Sequence, residues 1–312
     1  MNETAPKIEV FSPFGEAFEL TKKILFQPFD LLKWLAIGLA AFLAYLGDGC
    51  NFNWPNTPHR TGIHNFGVKM QQIPVWILVS GVILIVVMIL AIAVLCAWLR
   101  ARGRFMLIDC VVKNRGAVKE PWREFRELGN SFFFFALVVG CAWFVLAMLG
   151  SLPFMLPILR GVAFLHLHDF YLISMVSLWV LIMFAIAFAW ALITHIMVVV
   201  MYRHHCRALA ALPLACSLIS KYPGEITLYC LFWIVLALGV IFLACIFTCA
   251  TCCLTMIPYV GTVILLPLFV CQRAFGLFFL RQFGSDYDAW ATVSPLGGAM
   301  PPPIPPTEPL SA

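Results

Sequence analysis

Long apolar stretches, most of them free of charge, alternate along this chain with short segments crowded with charge. The longest uncharged run extends from Ile226 to Gln272, 47 residues. As one helix it would measure about 70 Å at 1.5 Å per residue. A bilayer core is only about 30 Å thick, so the run must double back as two spans. Ile257-Pro258-Tyr259-Val260-Gly261 supplies the break, with proline and glycine stopping one helix and letting the next begin. The same reading along the rest of the chain predicts six spans: Phe29–Leu46, Ile73–Leu99, Ser131 to about Leu156, Leu172–Met201, Ile226 to about Cys253, and Tyr259–Leu280.

Three segments between or before the spans carry a helical stripe instead. In Phe14–Pro28 the residues Phe14, Ala17, Phe18, Thr21, Ile24 and Leu25 share one face, and Glu16, Glu19, Lys22, Lys23 and Gln27 the other. Ser12-Pro13 suits a helix start. In Ala117–Ser131 the residues Val118, Trp122, Phe125 and Gly129 fall on one face, flanked by Lys119, Glu120, Arg123, Glu124, Arg126 and Glu127. Pro213–Tyr222 is a third, less charged candidate. Each precedes two spans, which predicts a threefold repeat of surface helix plus two spans.

Composition agrees with a membrane class: 62% of residues are hydrophobic and 11% charged, against about 25% charged in a soluble domain. The +5 net charge is read as a topology signal. The loop after the second span carries Arg100, Arg102, Arg104, Lys113, Arg115, Lys119, Arg123 and Arg126, whereas the opposite side holds only Arg60, Lys69 and Arg160. Basic loops stay in the cytoplasm, so both termini are expected there, in an inner-membrane protein. Glu120, Glu124 and Glu127 interleave with the basic residues, which argues against a nucleic-acid surface. No cleavable signal peptide is visible. The expected domains are a cytoplasmic segment 1–28 with its amphipathic helix, a membrane domain 29–283, and a proline-rich, disordered cytoplasmic tail 284–312.

The segments SPFGEAFELTKKILFQPFDLLKWLAIG, GRFMLIDCVVKNRGAVKEPWREFRELGNSFFFF, IPYVGTVILLP and RAFGLFFLRQFGSDYDAW resemble an uncharacterised family of six-span bacterial membrane proteins, from Ser12 to Trp290. More distantly they are similar to the membrane domain attached to some glycerophosphoryl diester phosphodiesterases. The resemblance implies an all-helical membrane fold and no assigned reaction. In those enzymes hydrolysis belongs to a separate soluble barrel, which no stretch of this chain is long and polar enough to form.

The candidate chemistry is sparse. Arg273 is a charge inside the sixth span, and His195 lies at similar depth in the fourth. Ionisable groups at membrane depth are candidates for contact with lipid or solute, while a snorkelling arginine and a histidine bonded to a carbonyl are the structural alternative. Trp122, Phe125, Arg123 and Arg126 are candidates for lipid contact on the second surface helix. Cys245, Cys249, Cys252 and Cys253 cluster on the fifth span. As metal ligands they would need partners from another element, such as Cys50, His59, His64, His166, His168 or Asp169. A disulfide on the oxidising face is a further alternative. The reading preferred here is that they serve as small residues for helix packing. His204, His205 and Cys206 read as interfacial decoration. No phosphate-binding loop, nucleophile elbow or zinc-protease signature occurs. The expectation is therefore a non-enzymatic scaffold or lipid-interacting protein without cofactor, partnered by membrane lipids, anionic ones among them. The alternatives are a transporter or channel for a small anionic solute and a lipid-modifying enzyme.

Overall fold

The computed structural model describes residues 11–46, 75–159, 166–250 and 257–292. Among these the chain is helical, with no strand. The elements are α1 (Phe11–Phe26), α2 (Leu31–Ala44), α3 (Val75–Val112), α4 (Lys119–Glu124), α5 (Arg126–Leu159), α6 (His166–His204), α7 (Ala208–Lys221), α8 (Pro223–Ala250), α9 (Pro258–Ile264) and α10 (Leu266–Arg281), followed by a 3-10 turn at Ala289–Thr292. Among the described residues four helices are long and apolar enough to cross a membrane: α3, α5, α6 and α8.

The other two expected spans differ from the sequence reading. α2 has 14 residues, about 21 Å of helix. Asp30 caps its start by accepting from the backbone of Leu32 at 2.9 Å and of Lys33 at 3.4 Å. The expected Tyr259–Leu280 helix is broken at Leu265 into α9 and α10. Pro267 has no N–H to give to the carbonyl of Val263, four residues back. The Trp34 indole donates to that carbonyl instead, at 3.1 Å. The chain thus trades a helical bond for one that ties α9 to α2. Tyr259 reinforces the tie by donating to Leu35 O at 3.1 Å.

α3 also departs from expectation. It does not stop at Leu99 but continues to Val112, carrying Arg100, Arg102, Arg104 and Asp109 with it. The turn comes where Asn114 adopts a left-handed conformation (φ 48°). Asp109 is fully buried at the end of this helix. Lys113 Nζ at 2.8 Å and Arg115 Nη2 at 2.7 Å pair with its carboxylate, and Tyr202 of α6 donates to it at 3.2 Å. Close packing of α2 on α3 depends on Gly103, since a Cβ there would strike the backbone of Leu43 and Ala44.

The second surface helix is shorter than expected. It ends at Glu124, and the spanning helix α5 starts at Arg126. Phe125 makes the bend by turning inward, where its ring meets Phe105, Tyr202 and His205. α1 buries Pro13, Ala17, Thr21, Ile24 and Leu25 along α10. Phe18, expected on that face, stands at its margin and is 58% exposed. α7 lies against the end of α6 through Ala208, Ala211, Ala215 and Leu218.

Buried residues concentrate at one end of the molecule: the stretch of α3 from Ala101 to Val112, Ile196–Tyr202 of α6, and most of α10. At the other end the outer halves of the long helices present leucine, isoleucine, valine and phenylalanine outward all around. Only a nonpolar surrounding makes that arrangement stable, because keeping so large a continuous apolar surface in water carries a large free-energy cost. The packed end is closed by residues beyond Gly284, which the sequence reading assigned to the tail. Arg203 donates to Ser285 O at 3.1 Å, Tyr287 donates to Leu214 O at 3.4 Å, and Trp290 stacks on Phe278 with centroids 4.6 Å apart. The rest of the proline-rich tail lies outside the described residues.

Candidate functional site

Where the packed end meets the exposed halves of the long helices, α3, α6, α8 and α10 enclose a chamber of about 280 Å³. α10 contributes Gln272 and Arg273, α3 contributes Arg100 and Arg104 one helical turn apart, α6 contributes Thr194 and His195, and α8 contributes Tyr229. Tyr45, just after α2, completes the polar lining. No aspartate or glutamate lines the chamber among the described residues.

Arg273 is central. It is 8% exposed, and its Nε and Nη2 have no hydrogen-bond partner among the described residues. The same holds for the Tyr229 hydroxyl and for His195 Nδ1. Tyr229 is held in place by stacking on Phe279, with centroids 4.3 Å apart, and on Phe275, at 5.6 Å. His195 reaches the chamber because α10 has glycine opposite it. A Cβ on Gly276 would stand 2.6 Å from His195 Cε1 and 3.1 Å from the Tyr229 hydroxyl. Arg104 lies over the Phe132 ring at 5.4 Å, which fixes its guanidinium from the side.

Buried polar groups are normally paired. The Arg273 guanidinium, the Tyr229 phenol and the His195 imidazole, each with an atom unpartnered among the described residues and with no carboxylate lining the space among them, make a site for an anion. Guanidinium groups offer paired N–H donors that match carboxylate and phosphate oxygens. Half-buried Phe188 and Leu192 of α6 and Trp233 of α8 extend the lining on an apolar side, next to exposed Ala191.

The structure sorts the residues singled out from the sequence into three places. Arg273 and His195 meet in the chamber. Arg123 and Arg126 stay on the surface. Trp122 and Phe125, expected to face lipid, pack on protein. Trp122 meets Trp98 edge-on at 5.8 Å and covers Arg102 at 4.8 Å, while Phe125 is 2% exposed. Cys245 and Cys249, read from the sequence as small residues for helix packing, are free thiols and exposed. The half of α8 that bears them extends beyond the packed end. Cys252 and Cys253 lie outside the described residues. No group of His, Cys, Asp and Glu suited to a metal occurs among the described residues. Arg100, Arg104 and Tyr229 went unremarked as site residues. The signal for the arginines was their i, i+4 spacing on a helix that nothing in the sequence breaks at Leu99.

Fold and site together define a protein that is helical over its described residues, with four helices long and apolar enough to cross a membrane and a chamber lined by arginines. The chain belongs to a family of unknown function, DUF7544, whose model matches residues 9–285. No curated protein and no solved structure matches it. The likeness to the membrane domain of glycerophosphoryl diester phosphodiesterases gains no support from these comparisons.

Proposed function

We propose that this is a non-enzymatic, lipid-interacting protein of the inner membrane that holds an anionic headgroup in its arginine chamber. The observation that carries the reading is Arg273: a residue more than nine-tenths buried, with two nitrogens unpartnered and no acid lining its chamber among the described residues. A buried charge is costly unless it is paired. A headgroup anion supplies the pair, and the apolar side at Phe188, Leu192 and Trp233 suits the start of an acyl chain. A small soluble anion would have no use for that side, which places a transporter or channel second.

The topology proposed with it has six spans and both termini in the cytoplasm. α2 and the broken α9–α10 pair form the two spans that length alone does not identify. The order of surface helix and two spans repeats three times as α1–α3, α4–α6 and α7–α10, in support of an internal repeat. Introduced cysteines test the orientation in a background without native cysteines. One near Asn56 is expected to react with an impermeant thiol reagent from outside and one near Lys113 is not. The reverse pattern sinks the topology.

Native mass spectrometry of the full-length protein in detergent tests the headgroup. Phosphatidylglycerol or cardiolipin is expected to be retained over phosphatidylethanolamine, and Arg273→Gln to remove the difference. Equal retention of all three by the wild type would defeat the proposal. If Arg123→Ala with Arg126→Ala removes the difference and Arg273→Gln does not, the surface helix is the binding site in place of the chamber.

A further inference from the structure

We propose that the chamber selects a lipid ending in a phosphate monoester over the phosphodiester headgroups of the common anionic lipids. The inference rests on the reading of the chamber as a headgroup site and names the class of headgroup it takes.

The donors set the first condition. Arg273 Nε and Nη2 form one edge of the guanidinium, and such an edge engages two oxygens of one tetrahedral anion side by side. Tyr229 is 3% exposed and fixed by stacking, and its hydroxyl is unpartnered among the described residues, so it donates to one further oxygen. A phosphodiester has two terminal oxygens and a monoester has three. The arginine fork and the phenol together match three.

Charge sets the second condition. Arg273 brings a buried positive charge to the chamber, with two nitrogens unpartnered and no lining acid among the described residues. A diester carries one negative charge. A monoester, with a second pKa of about 6, carries close to two at neutral pH. The doubly charged group is drawn more strongly to the Arg273 guanidinium, since charge attraction is little screened in a nonpolar surrounding.

Space sets the third. The volume of about 280 Å³ lies below the roughly 300–1,000 Å³ of pockets that enclose whole drug-sized ligands. It holds a headgroup and not a lipid, so the tail must leave on the apolar side by Phe188, Leu192 and Trp233. A monoester has one substituent and needs one exit. A diester needs room for a second, and on the α10 wall the His195 ring already fills the space that Gly276 leaves open.

The test is a competition measured by native mass spectrometry of the full-length protein, above pH ~7 so that the monoester is nearly doubly ionised. Phosphatidic acid and phosphatidylglycerol with the same acyl chains compete at equal concentration, with phosphatidylethanolamine as the neutral reference. Glycerol 3-phosphate is the soluble monoester. Phosphatidic acid is expected to be retained about tenfold over phosphatidylglycerol, a difference that one added charge-assisted hydrogen bond can supply. Tyr229→Phe, which removes one oxygen and keeps the ring stack, is expected to bring that ratio to about twofold or less. Arg273→Lys keeps the charge, loses the fork, and is expected to lower the ratio as well. Equal retention of the two anionic lipids by the wild type, both above phosphatidylethanolamine, overturns the monoester inference and leaves the headgroup reading standing. Retention of neither above phosphatidylethanolamine overturns both. Glycerol 3-phosphate bound as well as phosphatidic acid overturns the lipid source. A folded Tyr229→Phe with an unchanged ratio overturns the donor assignment.

Discussion

Arg102 and Arg273 are buried to nearly the same degree, 6% and 8% exposed, yet their surroundings are opposite. Arg102 sits between two indole rings, 4.2 Å from the Trp98 centroid and 4.8 Å from Trp122, and its Nη2 donates to Asn130 at 3.0 Å. Trp98 donates to the same Asn130 oxygen at 3.1 Å, so helices α3, α4 and α5 are joined around one cation. Nε of Arg102 is buried without a hydrogen-bond partner among the described residues. Arg273 has aromatic residues along its helix but no such clamp, and two unpartnered nitrogens facing a chamber. Burial therefore does not distinguish a structural arginine from a functional one. What distinguishes them is whether the fold itself supplies the partners.

The largest effect is expected where a buried charge is fully answered. Asp109→Ala leaves Lys113, Arg115 and the Tyr202 hydroxyl without their shared acceptor. Lys113 and Arg115 keep Glu124, and Arg115 also Glu120, so the loss is that of the charge-assisted bonds to Asp109 and of the Tyr202 hydroxyl's acceptor, about 3–5 kcal/mol together, and a marked fall in the detergent melting temperature is the readout. A shift within the scatter of surface mutants would mean that the contacts at Asp109 do not hold α3 to α6.

The next effect separates the two arginines directly. Arg102→Ala removes a hydrogen bond from a charged donor and two cation–π contacts, a loss of about 2–4 kcal/mol. Arg273→Met in lipid-free detergent is expected to leave the melting temperature unchanged or to raise it, because an unpaired buried charge is replaced by apolar volume. The comparison breaks if the two substitutions destabilise equally. Smaller still is Gly276→Ala. The added methyl displaces His195, while alanine gains up to about 1 kcal/mol of helix propensity over glycine. Thermal stability is expected to hold and headgroup retention to fall severalfold. Unchanged retention would remove His195 from the site.

Much of the fold was legible because span positions depend on local composition. The runs around Val82, Val145, Val180 and Val235 announce spanning helices by being apolar over enough residues. What eluded the sequence reading depends on contacts between distant residues. Pro267 breaks the last helix where Trp34, far away in the chain, can take up the released carbonyl of Val263. α3 runs through its arginines because Arg102 finds Trp122 and Asn130, and Asp109 finds Tyr202. A count of basic residues reads these same arginines as a cytoplasmic loop. Half of the site was visible in the same way. Arg273 stands out as a lone charge in an apolar run, and His195 by its depth. Arg100, Arg104 and Tyr229 join them only once four helices are brought together.

On the proposed function, Arg273 is completed by an anion from the membrane and not by the protein. The most direct measurement is an electron cryomicroscopy structure of the full-length protein in nanodiscs containing phosphatidic acid. The expected result is headgroup density in the chamber, with phosphate oxygens within about 2.7–3.2 Å of Arg273 nitrogens and an acyl chain leaving beside Trp233. Arg273 turned out of the chamber, or paired there with a carboxylate of the chain itself, would contradict it.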